Sequence, residues 1–166
     1  MIALAALLLA AQPATPAPSG LLPSTPRDAA AGVTACRGLP DDREAAARRL
    51  IEAGWERATL PGAPAGTAPP PIFGRANVIL VLAARSESPR LMGTGCMITA
   101  RFERSVRWRH LLETGNQAFG QTARSPREGS AQWMLDGGRY LVMLSLRREG
   151  DPEASFFVVA MQGDAR

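Results

Sequence analysis

Apolar positions recur along this chain with two periods, and each period predicts a different kind of element. Ala46, Ala47, Leu50, Ile51 and Ala53 fall at helical spacing. Pro40 and Asp41 precede them, Asp42 and Glu44 sit where a helix dipole favours acids, and Gly54 follows, so a helix is expected between Pro40 and Gly54. Glu44–Arg48 and Arg48–Glu52 are opposite charges four residues apart, worth roughly 0.2–0.5 kcal/mol each. Capping and surface pairing account for these carboxylates, which therefore do not read as a catalytic acid pair.

Strand-like patterning takes over after this helix. Trp55–Leu60 is a short strand candidate, and Asn77–Ala84 is a continuous apolar run of the kind buried on both faces of a sheet. Thr94–Phe102 alternates, with Cys96, Ile98, Ala100 and Phe102 on one face and Met97, Thr99 and Arg101 on the other. Arg104–Thr114 fits either period; Trp108, Leu111, Leu112 and a stop at Gly115 favour a helix. In the last third, Ala131–Leu135 and Arg139–Arg147 flank Asp136-Gly137-Gly138, whose glycines supply the positive φ of a tight hairpin. A polar turn over 148–153 then leads to Ser155–Met161. Consecutive strands joined by short turns predict an α+β fold: a mostly antiparallel five- to six-stranded sheet with one or two helices packed on one face. No internal repeat is visible in the sequence.

The N-terminal pattern is different again. Residues 2–11 form an uncharged apolar run that as a helix would be about 15 Å long, half the core of a bilayer and suited to a secretory signal. The small residues Ala10 and Ala11 suit cleavage before Gln12, although no Arg precedes the run. The expected organisation is a signal peptide over 1–11, a Pro/Ala-rich disordered linker over 12–32, and a single domain over 33–166. A Pro-rich surface loop interrupts that domain at 61–71. Val33-Thr34-Ala35-Cys36 superficially fits a lipidation motif, but Arg27 and Asp28 separate it from the apolar run. The expected location is periplasmic or secreted, with no transmembrane span after signal cleavage. In an oxidising compartment Cys36 and Cys96 pair as one disulfide; the alternative is two free thiols, with Cys96 reactive.

Composition narrows the chemistry. The chain has 166 residues, and all 19 basic residues are Arg, giving a net charge of +4. Without Lys there is no Walker-type phosphate loop, no Schiff base and no Ser–Lys dyad. One His and two Cys are too few for a structural zinc cluster, so no metal and no cofactor is expected. Gly93-Thr94-Gly95-Cys96 precedes a strand and opens no helix, so it does not cradle phosphate. The sharpest enzymatic arrangement is a Cys96 nucleophile with His110, the ring oriented by Asp136 or Asn116. Arg101, Arg104, Arg107 and Arg109, interleaved with Phe102 and Trp108, form a basic segment able to grip an anionic polymer.

The expected function is that of an exported binding or accessory domain acting by interaction rather than catalysis. Its partner would be an envelope protein or an anionic envelope component, and nucleic acid is disfavoured in that compartment. The alternatives are a small cysteine-dependent hydrolase or transferase using Cys96 and His110, and an anionic-polymer binder using the Arg-rich 101–109 segment.

Overall fold

In the computed structural model, residues 21–58, 70–82, 95–146 and 153–160 are described. The expected signal peptide, the linker as far as residue 20 and the loop over 61–69 lie outside the described residues. Two helices come first, α1 (Pro26–Cys36) and α2 (Arg43–Glu52). Four strands follow: β1 (Glu56–Ala58), β2 (Ile72–Arg75), β3 (Val78–Leu82) and β4 (Cys96–Arg101). Helix α3 (Trp108–Phe119) leads to four more: β5 (Arg124–Arg127), β6 (Ser130–Leu135), β7 (Tyr140–Leu146) and β8 (Glu153–Ala160).

All eight strands form one antiparallel sheet in the order β1-β2-β3-β4-β8-β7-β6-β5. The α+β class with an antiparallel sheet is as expected, but the expectation of five or six strands and one or two helices needs correction. Strands β2 and β5 were missed because each has four residues, too few to establish alternation. Helix α1 was missed because it starts inside the Pro-rich stretch read as linker. Thr25 and Asp28 form a reciprocal capping box there, Pro26 occupies the first turn, and Pro23 bridges to Arg101.

Other boundaries shift for local reasons. Asp42 caps α2 by accepting the Ala45 N–H, so this helix starts two residues after the expected Pro40–Asp41. Helix α3 runs through Gly115 and ends at Gly120, which holds the left-handed C-cap. Gly115 is instead a point of close packing: a Cβ there would lie 2.7 Å from the Trp133 ring. Strand β3 is not buried on both faces, since Val78, Leu80 and Leu82 are buried while Ile79 and Val81 are half-exposed.

The topology contains a repetition that the sequence does not display. A helix followed by a four-stranded meander occurs twice, as α2-β1-β2-β3-β4 and as α3-β5-β6-β7-β8, with β4 and β8 joined at the centre. The core lies between the helices and one sheet face, where Phe73, Leu80, Ile98, Phe156, Leu144 and Trp133 are buried. Gly32 of α1 brings its backbone against Ile98, and Phe119 of α3 meets Trp133 edge to face.

Candidate functional site

Cys36 at the end of α1 is disulfide-bonded to Cys96 at the start of β4, with Cα atoms 6.1 Å apart. Both cysteines are buried, and Cys96 faces the helices as its place in the alternation predicts. In this oxidised state Cys96 has no thiolate to offer. His110 is exposed on α3, and both groups expected to orient its ring are engaged elsewhere. Asn116 Oδ1 accepts the Ala123 N–H and the Trp133 indole N–H, both at 2.9 Å. Asp136 pairs with Arg37 Nη2 at 2.6 Å. The Arg37 hydrogen bond and charge, helped by Arg139, hold the Asp136 carboxyl below its ordinary value of 3.8. The Tyr140 hydroxyl accepts the Gly38 N–H and Arg49 donates to the Gly38 carbonyl, so these groups tie the α1–α2 corner to the β6–β7 hairpin.

The Arg-rich segment is divided among three environments. Arg101 is half-buried at the end of β4 and donates to the Leu21 carbonyl at 3.0 Å. Phe102 is buried, and Trp108 packs on the core from the start of α3. Arg109 pairs with Glu113 four residues on, while Arg104 and Arg107 are exposed. The aromatic residues thus serve the core rather than standing beside the guanidinium groups as stacking platforms. Among the described residues no group of three or more His, Cys, Asp or Glu is placed to hold a metal ion. No described helix is long and apolar enough to cross a membrane.

The face of the sheet opposite the helices has its own order. Cross-strand register places Ile72, Val81, Met97, Phe157, Met143 and Gln132 in one row from β2 to β6. The next row is Gly74, Ile79, Thr99, Ser155, Ser145 and Ser130, and beyond it Arg101 faces Glu153. Chemistry therefore grades along the strands from apolar through hydroxyl to charged. Leu141 and Met134, paired across β7 and β6, widen the apolar end. Met97 is 42% exposed, and Ile72, Val81, Met143, Leu141 and Met134 are half-exposed. The alternation at Thr94–Phe102 already turned Met97 outward, but the row itself depends on strand order and register. No protein-family model matches this chain, and no curated protein or solved structure matches it either.

Proposed function

We propose that this protein is an exported binding domain whose sheet face opposite the helices docks an amphipathic helix of an envelope protein. The apolar row from Ile72 to Met143 carries this reading, with Met97 exposed and Ile72, Val81 and Met143 half-exposed. Five strands at about 4.8 Å spacing make that row about 19 Å long, the length of a helix of about 13 residues. The Met134–Leu141 pair widens the row at its β7–β6 end, so the apolar positions are contiguous rather than scattered singly. A stable dimer takes about 800 Å² from each partner, whereas this row is narrow and bordered by hydroxyl residues, so it suits one helix about 10 Å wide better than a second copy. The hydroxyl row beside it would meet the polar flank of such a helix. The buried Cys36–Cys96 disulfide supports an oxidising compartment for the encounter.

The test uses a fluorescent 16-residue helical peptide with one Leu face, titrated into the disulfide-intact chain and followed by anisotropy. Saturable binding is expected, weakened at least tenfold by Met97→Asp and by Met143→Asp and unchanged by Arg107→Gln. Equal binding to the Met97→Asp chain would overturn the proposal. So would a concentration-dependent dimer dissolved by Met97→Asp, or capture of a fatty acid in place of the peptide.

A further inference from the structure

A groove of about 560 Å³ opens between the start of α1 and one face of α3, away from the sheet face just described. Arg27 and Thr25 line it from the α1 side, and His110, Thr114 and Gln117 line it from α3 at helical spacing. Its volume lies within the range of small-ligand sites. Among the described residues, the side chains of Arg27, His110, Thr114 and Gln117 have no hydrogen-bond or ion-pair partner. Four donor-bearing side chains therefore converge on one open space with their donors free.

The acids adjacent in sequence are engaged elsewhere. Asp28 accepts the Thr25 hydroxyl at 2.6 Å and the Thr25 N–H at 3.3 Å, closing the capping box of α1. Glu113 is held by Arg109 on α3 at 2.8 Å. Among the described residues no carboxylate lines the groove, and Arg27 brings it a permanent positive charge. Because Asp28 and Thr25 already serve the first turn of α1, attraction for an anion rests on the side chains and not on the helix end.

We propose that this groove is a binding site for a phosphate monoester group, with Arg27 as the charged anchor and His110, Thr114 and Gln117 as further donors. A guanidinium presents two parallel N–H groups to a phosphate, and with the donors of His110, Thr114 and Gln117 the full set outnumbers the roughly four acceptor sites of a carboxylate. A terminal phosphate, with three free oxygens, matches the set. The same group occurs on a soluble phosphate ester and on a lipid headgroup.

His110 is the only histidine of the chain, so its ring C–H resonances report the groove without ambiguity. Titration of the disulfide-intact protein with inorganic phosphate, and then with glycerol 3-phosphate, is expected to move those resonances to saturation. Arg27→Gln should weaken the apparent affinity at least tenfold, whereas Arg104→Gln, an exposed arginine outside the groove, should leave it unchanged. Calorimetry on His110→Phe should show the same loss without relying on the imidazole signal. Phosphatidic acid vesicles that bind the protein and release it on adding glycerol 3-phosphate would identify the lipid source; glycerol 3-phosphate binding without vesicle association would identify the soluble one. The proposal is overturned if the shifts never saturate, if acetate at equal ionic strength binds as tightly, or if Arg104→Gln and Arg27→Gln weaken binding equally.

Discussion

Asn116 reads in the sequence as one polar residue of a helix, available to orient a neighbouring histidine. In the fold its Oδ1 lies between two donors, the Trp133 indole and the Ala123 amide, and joins α3 to β6 and to the approach to β5. Replacing it with Ala leaves both donors unpaired in part-buried surroundings, which costs about 1–3 kcal/mol. Denaturant unfolding of Asn116→Ala is expected to show that loss, with Trp133 fluorescence changing in the native baseline. A loss below about 0.5 kcal/mol would mean that water replaces the amide without penalty. Gly115 beside it shows the same limit of sequence reading. In sequence it reads as a helix stop because glycine commonly ends helices, yet here the missing side chain admits the Trp133 ring.

At the scale of elements, helix α1 best separates visible signals from concealed ones. Its capping residues, Thr25 and Asp28 with Pro26 between them, are a helix-start pattern, but they sit in a stretch whose proline content suggested disorder. What makes the helix worthwhile is tertiary: Ala29, Ala30, Gly32 and Val33 are buried, and the disulfide fixes the C-terminal end to β4. That pairing was legible because the chain has two cysteines and Cys96 fell on the inward face of an alternating strand. Its loss should cost about 2–5 kcal/mol, because the unfolded chain is then no longer constrained by the cross-link. A Cys36→Ser, Cys96→Ser double variant is therefore expected to unfold at lower denaturant concentration than the oxidised chain, and dithiothreitol should bring the wild type to the same midpoint. Identical midpoints with and without reductant would show that α1 is held by packing alone.

For the molecule as a whole, the two meanders are joined among the described residues by the β4–β8 pairing, which runs from Cys96↔Val158 to Arg101↔Glu153. This pair is central and covered by α1, whereas the sheet ends at the three exposed residues of β1 and at β5, where Pro126 and a register shift interrupt pairing. Opening energies follow burial and hydrogen-bond neighbours. Native-state amide exchange is expected to be slowest at Ile98, Ala100, Phe156 and Val158 and fastest at Glu56–Ala58 and Arg124. Faster exchange at Ile98 than at β6 would indicate that the two halves separate before either one melts.

The sequence by itself determined the α+β class, the inward and outward faces of β4, the hairpin at Asp136-Gly137-Gly138 and the candidate disulfide. Each depends on spacing within a few residues or on the scarcity of a residue type, and such signals are local. Only the tertiary structure decided that eight strands form one sheet, that β4 lies beside β8, and that Arg37 and not His110 holds Asp136. Those outcomes bring together residues distant along the chain, through packing of whole faces that no short window of sequence contains. The apolar row and the Arg27–His110 groove arise in the same way, from register between strands and from the meeting of two helices.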